Sequence, residues 1–264
     1  MRQPSFVTPP VEGRGRGPVG LLFSALRRPG GRQASSVLAV ILLLAGIGLF
    51  SYPFITNIYE HHRQGQLKSV FKSKKFALEY ASGTVKVGEG LTELIMPKIH
   101  IDVVVVEGTT PTALRAGAGH YVGTALPCAH GNVSIAGHRT TFGHPFNQLD
   151  QMHPGDEITL KTPFEQCTYK VVPDAQWAPT NPHPVLPTDT TVIEQPVNKA
   201  VSILTLTTCH PKGSAAYRLV LRAVLEPDKT KVLQKLPPGA VLAPDGGAPS
   251  TAPAPSSLPG GPGD

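Results

Sequence analysis

Between residues 34 and 54 the chain reads ASSVLAVILLLAGIGLFSYPF, about 21 positions without a charged side chain. That matches the ~20 residues a helix needs to cross a hydrocarbon core. The pattern then changes twice. Over residues 57–85 the apolar positions Leu67, Val70, Phe71 and Leu78 recur at roughly helical spacing, which predicts a juxtamembrane helix or stalk. From about residue 91 short β-branched runs alternate with turn residues: LIMPKI (94–99), VVVVEG (103–108), NVSIAG (132–137), EITLK (157–161), CTYKVV (167–172), AVSILTLTT (200–208) and YRLVLRAVL (217–225). Each predicts a strand, and PFNQLDQM (145–152) predicts one short helical turn. Many short strands at such spacing predict an all-β domain, a closed or nearly closed barrel, because closure removes exposed edges.

Composition sharpens the boundaries. The 264 residues include 28 Pro and 27 Gly, a load that suits turn-rich β structure and unfolded ends rather than a helical bundle. Five parts result: a basic disordered segment at 1–33, an anchor at 34–56, a stalk at 57–90, one β domain at 91–227, and a Pro/Gly-rich disordered tail at 228–264. The net charge of +6 is unevenly placed: six arginines against Glu12 put +5 in residues 1–33, leaving +1 for everything after them. A nucleic-acid groove needs its excess on the folded part, so no nucleic-acid partner is expected. Basic residues before the apolar stretch instead place residues 1–33 in the cytoplasm and the β domain outside. A cleaved signal peptide is disfavoured. The apolar run starts late, exceeds a typical signal core, and is followed by no small-x-small cleavage site.

Outside the membrane disulfides are permitted, and three cysteines leave at least one out of any internal pair. Cys128 and Cys167 either pair or are small buried residues; their separation cannot be read from sequence. Cys209 is the candidate thiol, because it ends the strand run VSILTLTT and is followed by His210 and Pro211. An ordinary cysteine is only a few per cent thiolate at neutral pH, so it needs a proton carrier and a cation for the oxyanion it creates. Arg218, nine positions on, opens the next strand; a hairpin would bring it beside Cys209, and its fork of donors suits an oxyanion.

A histidine is the natural proton carrier. Of the ten, His61 and His62 lie in the stalk, and His100, His144, His153 and His183 lie beside turns. His210 follows the nucleophile and points away from it in an extended chain. His120, His130 and His138 remain, and His138 is best placed, since NVSIAGHRTTFG also ends an apolar strand in a reactive side chain followed by a turn. The bland alternatives are a buried strand cysteine, a turn-capping histidine and a surface arginine. No C-x-x-C or H-x-x-x-H accompanies Cys128, His130, Cys209 and His210, so no metal site is expected. Trp177, in DAQWAPTNPHP, reads equally as a loop anchor or as a groove wall.

TLTTC with an arginine nine residues later, an upstream AGHRTT, MPKI before VVVVEG, and AGHY before HGN together resemble the sortases, membrane-anchored cysteine transpeptidases of Gram-positive bacteria. The H-R-T-T spacing and short Cys-to-Arg interval are most similar to class E. The likeness spans residues 94–225 and departs from the family at PCAHGN, where relatives usually carry a Gly-containing turn. It implies a closed eight-stranded barrel and no cofactor. It further implies that Cys209 attacks the Thr–Gly carbonyl of a Leu-Ala-x-Thr-Gly or Leu-Pro-x-Thr-Gly sorting signal on a secreted protein. His138 protonates the departing amine, Arg218 holds the substrate backbone and oxyanion, and Thr208 shapes the pocket. The partners it implies are secreted proteins bearing that signal and a cell-wall precursor or pilin amine. Two alternatives stand against it: an L,D-transpeptidase, whose Ser-x-Gly-Cys motif TLTTCHP does not match, and a non-catalytic anchored barrel.

Overall fold

The computed structural model describes residues 29–173, 183–196, 201–235 and 258. The chain divides into two compact units, Met1–Tyr52 and Pro53–Asp264. The first contains the start of helix α1 (Pro29–Phe71), where Val37, Leu38, Ile41, Leu44 and Phe50 are all exposed. This is a helix long and apolar enough to cross a membrane, with a mean hydropathy of 2.3 in its most apolar window. Of the segment expected at 1–33, residues 1–28 lie outside the described residues.

In the second unit the stalk is part of the fold rather than a spacer. The chain leaves α1 at Phe71 and restarts as α2 (Lys74–Ala81), with the Ser73 side chain accepting from the Phe76 amide at 3.1 Å as an N-cap. That break resets the helical phase. Leu67 and Phe71 are buried as expected, but Val70 and Leu78 are exposed, and Phe76 and Tyr80 take the inward positions instead. These side chains pack with Leu91, Val104, Val106 and Phe164 into a cluster outside the barrel. Gln64, 6% exposed, fastens the layer: its amide accepts from the Val104 N–H at 2.8 Å and donates to the Val104 and Ala116 carbonyls.

This layer explains VVVV. Strand β2 (Ile101–Glu107) presents Val105 to the barrel core and Val104 and Val106 to the helices, so both faces are dry and no polar alternation is needed. The other strands are β1 (Gly90–Met96), β3 (Gly119–His120), β4 (Gly131–Ala136), β5 (Glu157–Lys161), β6 (Glu165–Val171), β7 (His183–Val185), β8 (Ser202–His210), β9 (Tyr217–Leu225) and β10 (Lys231–Val232). Between β2 and β3 lies a single turn, α3 (Pro111–Leu114). The sheet order is β10-β6-β5-β1-β2-β3-β4-β8-β9-β7, and β6 also pairs with β9. That last pairing closes β1 to β6, β8 and β9 into the expected eight-stranded barrel and leaves β7 and β10 outside the ring. Leu94, Ile135, Ile158, Leu206, Leu221 and their neighbours fill its interior.

All seven expected strands form. The first stops at Met96, because Pro97 has no N–H for the ladder and a 3-10 turn (Pro97–Ile99) takes over. The expected helical turn is the 3-10 turn Leu149–Gln151. Two features correct the expected tail. Strand β10 pairs with β6 beyond residue 227, and Leu258 is buried at 1% exposure. The rest of the tail, 236–257 and 259–264, lies outside the described residues, as does Trp177.

Candidate active site

Two strand ends build the site. β8 and β9 are antiparallel with Cys209 directly opposite Arg218, so the hairpin inferred from the nine-residue interval is the observed register. β4 runs parallel to β8, with Ala136 level with Thr207. The chain therefore delivers His138 to the same end of the barrel as Cys209. Three bonds hold that junction: the Gly137 amide donates to Thr207 O at 3.1 Å, the Thr208 hydroxyl donates to Gly137 O at 2.7 Å, and Arg139 Nη1 donates to Cys209 O at 3.0 Å. Gly137 is required here by space, since a Cβ would lie 2.6 Å from the ring of Phe146, which is fully buried and cannot yield.

Cys209 is half-buried and in no disulfide. Arg218 is 2% exposed, and its Nη1 donates to the carbonyls of Ala215 and Tyr217 at 2.8 and 3.0 Å, which fixes the plane of the guanidinium. His138 is half-buried against Phe142, with ring centroids 5.3 Å apart. Its pKa is lowered, first by burial and then by the Arg115 charge, so the neutral imidazole is favoured at rest.

The competing histidines fall away by position. His120 is fully buried, with Nδ1 2.9 Å from Glu107 and Nε2 2.9 Å from Ala125 O, a satisfied core residue. His130 lies 3.2 Å from the hydroxyl of Ser202, at the opposite end of β8 from Cys209, roughly 23 Å away along the strand. His210 meets Arg139 Nη1 at 3.0 Å.

Three contributors were not legible. Arg139, 3% exposed, joins Cys209 O and His210 to Asp150, which it meets at 3.1 Å; only its place next to His138 hinted at a role. Tyr121, inside the AGHY motif, donates or accepts at 2.8 Å with Thr207 and stands close enough to Arg218 and Cys209 for both charges to act on it. Cys128 and Cys167 do pair, with Cα atoms 5.7 Å apart. The unusual PCAHGN loop is thus the site of a bridge to β6. Among the described residues no group of three or more His, Cys, Asp or Glu is arranged to hold a metal.

Comparison with known proteins identifies the family. The sortase domain family matches residues 94–226. Sortase SrtE2 of Streptomyces coelicolor is 31% identical over 218 residues, covering 74% of this chain and 84% of that protein. The chain belongs to the sortase family. Sortase SrtE1 of the same organism is 29% identical over 208 residues, covering 74% of this chain but 58% of the relative's length. Among solved structures, a Clostridium perfringens sortase D5 transpeptidase superposes with a TM-score of 0.53 at 28% identity over 64% of this sortase and 98% of that chain. The SrtF sortase of Corynebacterium diphtheriae gives 0.51 at 28% identity over 60% and 93%.

Proposed function

We propose that this sortase is a membrane-anchored cysteine transpeptidase. Its N-terminal segment lies in the cytoplasm, residues 34–56 cross the membrane and the barrel faces outward. It cleaves a Leu-Ala/Pro-x-Thr-Gly signal between Thr and Gly. The single observation that carries this reading is the opposition of Cys209 and Arg218 across β8 and β9, at the strand end where β4 delivers His138.

In the proposed reaction Cys209 gives its thiol proton to the neutral His138 imidazole, the resulting thiolate attacks the threonine carbonyl, and the negative charge moves to the oxygen, which Arg218 meets with its fixed donors. The tetrahedral intermediate collapses, the C–N bond breaks, and the His138 imidazolium gives its proton to the departing glycine amine. A thioester and a neutral imidazole remain. A second amine, from a cell-wall precursor or a pilin lysine, attacks the thioester and loses its proton to His138 as the thiolate leaves. The thiolate–imidazolium pair is thereby restored, and return of the proton to Cys209 gives back the resting site. Thr208 takes part by holding Gly137 O, and so the turn that bears His138.

The full chain in detergent, incubated with Leu-Ala-x-Thr-Gly and Leu-Pro-x-Thr-Gly peptides and a glycine acceptor, is expected to give joined products by mass spectrometry. Cys209→Ala should abolish both the products and the covalent adduct. Turnover retained by that variant overturns Cys209 as the nucleophile, and no turnover by the wild type overturns the transpeptidase reading and leaves the anchored-scaffold alternative.

A further inference from the structure

Leu258 comes from the Pro/Gly-rich end of the chain, yet it is 1% exposed. Its side chain packs in a pocket formed by Leu114, Tyr121, Ala136, Val192, Ile193 and Val220. Its backbone is gripped on both sides: the Leu258 N–H donates to Pro187 O at 2.7 Å, and Arg218 Nη2 donates to Leu258 O at 3.1 Å. The guanidinium opposite Cys209 thus holds a peptide carbonyl belonging to the protein's own tail.

The pocket is built in advance of whatever fills it. The 3-10 turn Thr190–Ile193 supplies two walls, and it is pinned from two sides. Asn132 donates to the Val192 and Glu194 carbonyls at 3.0 and 3.1 Å, and Arg222 Nη2 donates to Val192 O at 2.8 Å. An apolar pocket flanked by one backbone acceptor and one backbone-directed cation recognises an extended peptide with a leucine at one position.

We infer that the active-site cleft binds the chain's own C-terminal segment through Leu258, and that this segment competes with the incoming sorting signal. The inference rests on the transpeptidase reading above and names a regulator of the same site. The sequence supports competition without cleavage. Leu258-Pro259 reads like the head of a Leu-Pro-x-Thr-Gly signal, but Gly261 stands where threonine would be and Pro262 where glycine would be. Reach is sufficient: 22 residues separate Lys235 from Leu258, and a chain of that length can bridge up to about 75 Å at ~3.3 Å per residue. A ligand joined covalently to its own site is supplied at up to roughly millimolar effective concentration, so even a weak contact is felt.

The test compares the full chain with Leu258→Asp and with a chain stopped after Lys235, measuring peptide turnover and the rate of Cys209 alkylation by a small maleimide. Both variants are expected to show an apparent KM lowered roughly 2–10-fold with kcat unchanged, and faster alkylation. A synthetic peptide of residues 255–263, added to the shortened chain, should raise KM again, while its Leu258→Asp counterpart should not. Unchanged KM and alkylation in both variants overturn the inference, as does failure of the wild-type peptide to compete at millimolar concentration. If no chain turns over signal peptide, the transpeptidase reading has failed; the alkylation rates then still report whether the tail occupies the cleft.

Discussion

At the scale of single residues, the site depends on how tightly the turn after β4 is tied to the end of β8. Arg139 makes that tie through the Cys209 carbonyl and is itself anchored by Asp150. Arg139→Ala is expected to lower kcat about 10–100-fold while leaving the affinity for a signal peptide within about twofold, since it touches the positioning of Cys209 and not the pocket. Arg139→Lys should recover only part, because an ammonium cannot reproduce a planar fork with several donors. A merely structural role would instead lower the melting temperature of both variants in step with activity. His138 adds a pH signature. Its pKa is lowered by burial first and by Arg115 second, so the unfolded chain binds the proton more readily. The stabilisation is then complete above the ordinary histidine range and is lost as pH falls through that range toward the lowered value. NMR titration of the His138 ring should give a midpoint below the free-histidine value. Arg115→Ala should move it upward, less so at high salt because Arg115 is exposed.

At the scale of elements, the strands that carry chemistry were readable because their chemistry sits where their apolar patterns stop. NVSIAG ends before His138 and VSILTLTT ends at Cys209, and β-branched runs leave little doubt about which residues form the ladder. The short strands β3, β7 and β10 were not readable. Two or three residues carry no periodicity, and these three exist because a neighbour offers an edge: β3 fills the gap between β2 and β4, and β7 and β10 pair with the exposed sides of β9 and β6. The helix phase was misread for a related reason, since the Ser73 cap divides what looks in sequence like one period. The disulfide was hidden because Cys128 and Cys167 are 39 positions apart, and only the folded barrel brings the β3–β4 loop against β6. That long loop makes the bridge valuable. Restricting a chain of this loop length in the unfolded state is worth about 4 kcal/mol in the chain-entropy model. The double variant Cys128→Ser/Cys167→Ser should therefore unfold at markedly lower denaturant concentration. Its peptide-joining activity below the transition should be retained, because the bridge ties the β3–β4 loop to β6 and leaves the β8–β9 hairpin untouched. A loss of activity without loss of stability would refute that separation.

At the scale of the whole second unit, the barrel does not end at its own strands. The run of four valines in β2 can be dry on both faces only because the end of α1 and all of α2 cover the outside, and Gln64 is the polar stitch in that otherwise apolar layer. Removing it leaves the Val104 N–H and the Val104 and Ala116 carbonyls short of a partner where water does not reach, with a penalty of about 1–3 kcal/mol for a buried group left unsatisfied. Gln64→Ala adds a small void to that loss; Gln64→Met fills the space but still strands the backbone groups. If the hydrogen bonds decide the matter, the two variants should be destabilised by similar amounts in equilibrium denaturation of the full chain. If packing decides it, the methionine variant should be close to wild type. Either way the active end should feel little. Gln64 meets the middle of β2, and between β2 and the Cys209-bearing strand stand β3 and β4, so peptide turnover by the folded fraction is expected to remain within about twofold of wild type. A large kcat defect in a well-folded Gln64 variant would mean that the helical layer sets the geometry of the cleft as well as the stability of the wall behind it.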